Sequence, residues 1–206
     1  MSHNTLIHRI VRPAVRLAAR TRITPNHLTT ARLATGLAAA ACFAVGAYSW
    51  MALGGLIFLI SMLLDRADGE LARQTHQSSA AGHRYDLASD CIANVAAFLG
   101  LGFGFAHETG SLAFGLGLLA GLAIGVLFLE LNVLKFASVR GLELFEGRLT
   151  LDPDDALILV PVLIWCGLAW PMVIVAAIIT PLVAVTVAVS VPWRRVSGSD
   201  ARDGDL

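Results

Sequence analysis

The sequence predicts an all-α polytopic membrane protein, with six transmembrane helices preceded by an N-terminal amphipathic helix on the membrane surface. Three observations carry this reading. Of 206 residues, 56% are hydrophobic and only 15% charged, and the mean hydropathy is +0.72. A water-soluble domain of this length would not cover so much apolar surface. The apolar residues fall into six runs, and the basic residues are confined to alternate connections between them. The formal net charge of +0 favours neither an acidic nor a basic partner, and no nucleic acid is expected. Cys42, Cys91 and Cys166 lie far apart in apolar runs, without zinc-ligand spacing. They read as buried free thiols in a reducing setting. No cleavable signal peptide is expected, because the first apolar run follows a long basic segment and is long enough to span.

Residues 1–22 form the first unit. Arg9, Arg12, Arg16 and Arg20 recur at three- or four-residue spacing, so on a helix they make one narrow stripe. Leu6, Ile7, Ile10, Val11, Ala14, Leu17 and Ala18 take the opposite face, and Pro13 bends the helix. This pattern predicts an interfacial helix on anionic lipid; a plain topogenic basic flank is the blander alternative. In the segment "TRITPNHLTTARL", Thr24 or Asn26 caps the first span and Pro25 lies in its first turn.

Residues 23–193 hold the six runs. The first, Leu28 to Tyr48, has about the 20 residues that a spanning helix needs. The second starts near Met51 and enters a charged stretch, and the third extends from Asp86 to Phe105. The fourth covers Leu112 to Val139. Within it Gly117, Gly121 and Gly125 share one face and let a helix approach closely, either inside the subunit or across a homodimer. The fifth and sixth runs are Ala156 to Trp170 and Pro171 to Val191, divided at Pro171. The fifth is short unless Asp154 and Asp155 sit at the interface. Residues 194–206, ending in "GSDARDGDL", form a polar tail.

The connections near Ser49, Glu108 and Trp170 contain no Lys or Arg, and all 15 basic residues lie on the other side or in helix ends that reach it. The positive-inside rule then puts both termini and the charged stretch in the cytoplasm. Trp50, Trp170 and Trp193 read as interfacial belt residues.

The charged stretch is "LLDRADGELARQTHQSSAAGHRYDLASD". Asp65 and Asp68 are three apart, and Asp86 and Asp90 four apart, so on helices each pair projects from one face. The second and third runs are antiparallel neighbours, and the pairs converge near the cytoplasmic side. Asp65 lies about 14 residues, or roughly 21 Å of helix, from the outer end of its span. Ionisable groups at that depth are costly and by default functional. A hard divalent cation relieves the repulsion among four carboxylates, and Mg²⁺ typically shares such ligands with substrate phosphates. Gly69 and Ala72 leave room against the helix, and Arg73 can pair with a phosphate. The competing structural reading is a salt-bridge network of Asp65, Asp68, Arg66 and Arg73, which leaves Asp86 and Asp90 with only Arg84 nearby.

The order Asp65-x-x-Asp68-Gly69-x-x-Ala72-Arg73, eight residues, Gly82-x-x-x-Asp86-x-x-x-Asp90 resembles the signature of the CDP-alcohol phosphotransferase family, membrane enzymes of phospholipid synthesis. All the signature positions are filled, and "TPNHLTTARL" is similar to the entry of the first span in many bacterial members. The resemblance implies that Asp65, Asp68 and Asp86 ligate Mg²⁺ or Mn²⁺, with two ions bound. It implies that Asp90 is the general base and also touches the second metal. Asp68, Gly69, Ala72, Arg73 and Gly82 would then form the nucleotide site. It implies transfer of a phosphatidyl or related group from a CDP-linked lipid to a small alcohol acceptor, with release of CMP, in a bacterial-type inner membrane.

Lys135, the chain's one lysine, falls near the cytoplasmic end of the fourth run with Asn132 on its face, and Arg140 and Arg148 follow. By resemblance these three basic residues would hold a phosphorylated polyol acceptor such as glycerol 3-phosphate or inositol phosphate; snorkelling to headgroups is the alternative for Lys135. Glu130 could pair with Lys135 instead. Asp152, Asp154 and Asp155 either cap the fifth helix or select a neutral or cationic acceptor. His76 and His83 are assigned no role. An aspartate-rich membrane prenyltransferase fits less well, since it needs more spans and two separate aspartate motifs. A divalent-cation transporter would need polar groups toward the outer side, where Glu108 is the main ionisable residue.

Overall fold

The computed structural model describes residues 15, 21, 23–75, 77–133, 142–144, 149–151 and 157–190. All six apolar runs are helical and follow in the expected order. They are α1 (Pro25–Ala44), α2 (Tyr48–Gln74), α3 (Ala80–Thr109), α4 (Ser111–Phe128), α5 (Leu159–Trp165) and α6 (Ala169–Ser190). The last turn of α4 widens into a π-turn over Leu129–Val133. Two three-residue strands, Leu142–Leu144 and Leu149–Leu151, pair antiparallel in the connection to α5; the sequence reading did not include them. The fold is all-α and polytopic. Four helical segments are long and apolar enough to cross a membrane: Tyr48–Gln74, Ala80–Thr109, Ser111–Asn132 and Ala169–Val189. Helix α1 has the length, but its first half carries Asn26, His27, Thr29, Thr30 and Arg32. Helix α5 has seven described residues, or roughly 10 Å of rise, far less than a bilayer core.

Local chemistry explains the boundaries. Thr24 is the N-cap of α1 and Pro25 its first residue, as the sequence suggested. Proline is tolerated there because its missing N–H would have no helical partner. The backbone N–H of Thr24 donates to Nδ1 of His27 at 3.3 Å. Ser79 caps α3, accepting from the Gly82 N–H at 3.0 Å. The break between the last two runs departs from expectation. It lies at Gly167, whose φ of +74° suits glycine, whereas Pro171 sits in the first turn of α6. The fifth run therefore ends at Trp165 rather than Trp170. Trp170 packs on Phe105 with ring centroids 5.2 Å apart, so it joins the core and is not a free belt residue.

Helix α1 packs against α2 and α3, α3 against α4, α4 against α6, and α2 against α5. The core holds Phe43, Phe58, Leu101, Ile164 and Val173. Small residues bring the helices together, as expected where lipid removes any hydrophobic drive between helices. A Cβ on Gly117 would lie 2.6 Å from Cα of Gly102, and one on Gly125 would lie 3.1 Å from Cγ2 of Val95. The glycine face of α4 is thus used within the chain against α3, and a homodimer would need another face. Leu112, Leu122, Leu182 and Val189 are exposed, as apolar side chains facing lipid would be. Of the N-terminal segment, Val15 is helical and buried against Leu71. The arginine stripe, the tail and Trp193 lie outside the described residues.

Candidate active site

The carboxylates converge because α2 and α3 run antiparallel and both stop at the short connection 75–79. Asp65, Asp68 and Asp86 each offer an oxygen within 4.8 Å of the others. The three line a cavity of about 350 Å³ with Asp90, Gly69, Ala72, Arg73 and Gly82. The signature residues, separate in sequence, therefore share one pocket. Pro25, Asn26 and Thr29 of α1 close one wall, Gln77 to Ser79 and His83 another, and Phe128 and Asn132 a third.

A donor set of three clustered carboxylates fits a hard divalent cation, which takes oxygen ligands. Cys91, the nearest thiol in sequence, is absent from the pocket lining, so the three-carboxylate set offers oxygen only.

Helix α1 supplies two partners that the sequence reading missed. The Thr29 hydroxyl donates to Oδ2 of Asp68 at 2.7 Å, and both residues are buried. Arg32, 5% exposed, pairs through Nε with Oδ1 of Asp65 at 3.2 Å and through Nη2 with Oδ1 of Asp90. One signal was available. Arg32 is a cation two turns inside an apolar helix, and such a charge needs a counter-ion.

These pairs bring in a cation, Arg32, that the competing salt-bridge reading did not include. Asp90 is neutralised by Arg32 of another helix, and Arg73 pairs with Glu70 at 2.8 Å on its own helix. Arg73 stays 42% exposed by side chain and lines the cavity, so its guanidinium can turn to an anion. The two glycines differ. A Cβ on Gly69 would meet only Nη1 of Arg73, at 3.8 Å, so that face is open. A Cβ on Gly82 would meet Oγ of Ser79 at 3.0 Å and Oδ1 of Asn26 at 3.2 Å. Any Cβ there would press on these two side chains, which would have to give by a few tenths of an ångström. His83, assigned no role from sequence, lines the pocket. Lys135, Arg140, Arg148 and the acidic segment at 152–155 lie outside the described residues.

A second cavity, about 650 Å³ and almost wholly apolar, lies between α3, α4, α5 and α6. Phe128 and Asn132 line both cavities, so the apolar space adjoins the carboxylate pocket.

A family model described as CDP-alcohol phosphatidyltransferase matches residues 22–145, more than half of the chain. The chain belongs to the CDP-alcohol phosphatidyltransferase family. That makes it a phosphotransferase, a membrane enzyme of phospholipid biosynthesis, as the signature implied. Two crystal structures of Mycobacterium tuberculosis phosphatidylinositol phosphate synthase share the fold. The apo form has 22% identity and a TM-score of 0.65, over 88% of this chain and 97% of that one. The form with CDP-DAG bound has 21% identity and a TM-score of 0.67, over 96% and 99%. No curated protein matches the chain significantly in sequence.

Within this family the observed pocket has a clear chemical capacity. It combines a carboxylate cluster fit for a cation, an open helix face at Gly69 and a partly exposed cation at Arg73. The adjoining apolar space can accept hydrocarbon.

Proposed function

We propose that this CDP-alcohol phosphatidyltransferase moves the phosphatidyl group of CDP-diacylglycerol to a hydroxyl of a phosphorylated polyol, releasing CMP. The observation that carries this reading is the convergence of Asp65, Asp68, Asp86 and Asp90 on one pocket beside an apolar cavity. A bound Mg²⁺ or Mn²⁺ would neutralise the diphosphate and make its β-phosphorus more electrophilic. Asp65, Asp68 and Asp86 would hold that ion, and a second ion would add Asp90. Asp68, Gly69, Ala72, Arg73 and Gly82 would hold the nucleotide, with the cytidine moiety over the open face at Gly69. Arg73 would exchange Glu70 for a phosphate oxygen. The acyl chains would occupy the apolar cavity, with Phe128 and Asn132 at its junction with the headgroup.

The transfer itself conserves a single bond type. The acceptor oxygen forms a bond to the β-phosphorus, the bond from that phosphorus to the bridging oxygen breaks, and CMP leaves. Asp90 takes the hydroxyl proton. Lys135, Arg140 and Arg148 would bind the acceptor phosphate. Lys135 follows Asn132 by three residues, and Asn132 lines the pocket. The basic connections favour a site on the cytoplasmic side of a bacterial-type inner membrane. The family and the CDP-DAG bound to a similarly folded protein support a CDP-linked lipid donor.

The direct test incubates the full chain in nanodiscs with CDP-diacylglycerol, Mg²⁺ or Mn²⁺ and a panel of alcohols, and measures released CMP. CMP release with glycerol 3-phosphate or inositol phosphate, lost in Asp90→Asn with nucleotide binding retained, is expected. Release with serine but no phosphorylated polyol would refute the acceptor class. Full activity of Asp90→Asn would refute the base.

A further inference from the structure

Arg32 stands behind the carboxylates rather than among the groups that line their pocket. It is absent from the lining of the carboxylate pocket but lines a separate cavity of about 270 Å³ that shares Asp65 and Asp90 with it. Its guanidinium reaches Oδ1 of an aspartate on α2 and Oδ1 of one on α3 through two different nitrogens. Its own backbone is fixed too: Ser61 Oγ on α2 donates to the Arg32 carbonyl at 2.8 Å. One turn on, a Cβ at Gly36 would lie 2.7 Å from Cβ of Ala93, so α1 and α3 are in close contact there.

We propose that Arg32 is a positioning residue for the transfer, acting through Asp90 and Asp65 and not on either substrate. The proposal rests on the reading of Asp90 as the base. A guanidinium is planar, always charged, and holds its nitrogens at fixed separation. Spread over two carboxylates from different helices, it fixes their spacing and engages one oxygen of each. The second oxygen of each is left uncommitted to the guanidinium. It also sets one buried positive charge among four carboxylates. Lysine would supply that charge from a single point and could not set the spacing. A base must lie within hydrogen-bond reach of the proton it takes, so an Asp90 free to rotate would lose turnover before binding suffers.

The test uses the full chain in nanodiscs, with Arg32→Gln, Arg32→Lys, Asp90→Asn and the double variant Arg32→Gln/Asp90→Asn. Each is measured for thermal unfolding, for CMP affinity with Mn²⁺ by calorimetry, and for kcat and KM with radiolabelled donor. Arg32→Gln should lower kcat by about 100-fold, within the range for loss of a general base, with KM and CMP affinity within about threefold. Arg32→Lys should recover only part of the loss. The double variant should turn over no more slowly than Asp90→Asn, because residues acting as one unit are non-additive. The proposal is overturned if Arg32→Gln keeps more than about half of kcat. Multiplication of the two single losses in the double variant, or CMP affinity falling as far as kcat, would also overturn it. Failure of both Arg32 variants to fold would make the role structural and overturn it too. If Asp90→Asn is inactive while Arg32→Gln is active, this proposal alone fails; if Asp90→Asn is fully active, the base assignment itself fails.

Discussion

Thr29 on α1 and Asp68 on α2 are joined by a 2.7 Å hydrogen bond between two buried side chains. Asp68 is thereby committed at Oδ2 to a donor from a helix that carries none of the signature residues. The bond fixes the side-chain rotamer, as outer partners of metal-binding carboxylates do. Thr29→Val keeps the shape and removes the donor, so Mn²⁺ affinity should fall by about 10- to 100-fold. Thr29→Ser should retain most of it. Calorimetric titration of Mn²⁺ into the nanodisc protein measures both; equal affinity in Thr29→Val would mean that the hydroxyl does not tune the site.

The three-aspartate cluster predicts a sharper loss when one of its carboxylates is removed. Asp86→Ala removes one of three oxygens that lie within 4.8 Å of one another. Losing a ligand should exceed the loss of an outer partner, so Mn²⁺ affinity should drop by more than about 100-fold. In the wild-type protein, chelation with EDTA should abolish CMP release, and added Mg²⁺ or Mn²⁺ should restore it. CMP release that persists at full rate in excess EDTA would count against metal dependence.

Helix contact predicts where stability is most sensitive. Gly117 and Gly102 face each other so closely that a Cβ on either would come within 2.8 Å of the other's Cα. Backbone cannot yield there as a side chain would. Gly117→Val should therefore destabilise the protein by about 1–3 kcal/mol, read as a lower midpoint of thermal unfolding in nanodiscs. Neither residue lines the carboxylate pocket, so CMP affinity should survive below that midpoint.

The aspartates were legible in sequence because charge within an apolar chain is costly and their spacing has a helical period. The partners on α1 were not, for a physical reason. Thr29 reads naturally as the polar entry to a span, and Arg32 signals a counter-ion without showing which. They become site residues through the rotation of α1 about its axis. That rotation is set by Gly36 against Ala93 and by Ser61 against the Arg32 carbonyl, contacts without any local pattern. Similarly, the glycine face of α4 was visible as periodicity, but its partner on α3 was not. The last helix break went to Pro171, because proline is the louder signal, whereas Gly167 with its positive φ makes the turn. The four long helices were readable from composition alone; α5 was readable as a short helical run, but its end was not, since Pro171 is a louder signal than Gly167.

The two signature glycines should respond differently to alanine, and the difference separates space for a ligand from space for the protein. At Gly69 a methyl group meets nothing closer than Nη1 of Arg73 at 3.8 Å, the end of a flexible side chain. Gly69→Ala should fold with an unchanged unfolding midpoint, helped slightly by the better helix propensity of alanine. It should nevertheless weaken CMP binding by about 5- to 150-fold, the effect expected of about 1–3 kcal/mol of steric crowding in a fitted site. At Gly82 the methyl group would press on the Ser79 hydroxyl that caps α3 and on Asn26 of α1. Gly82→Ala should lower the unfolding midpoint even without nucleotide, through partial loss of a cap contact of about 1 kcal/mol. Thermal unfolding with and without CMP and Mn²⁺ measures both effects on the same samples. If Gly69→Ala bound CMP as tightly as wild type, the open face at Gly69 would not be where the nucleotide lies.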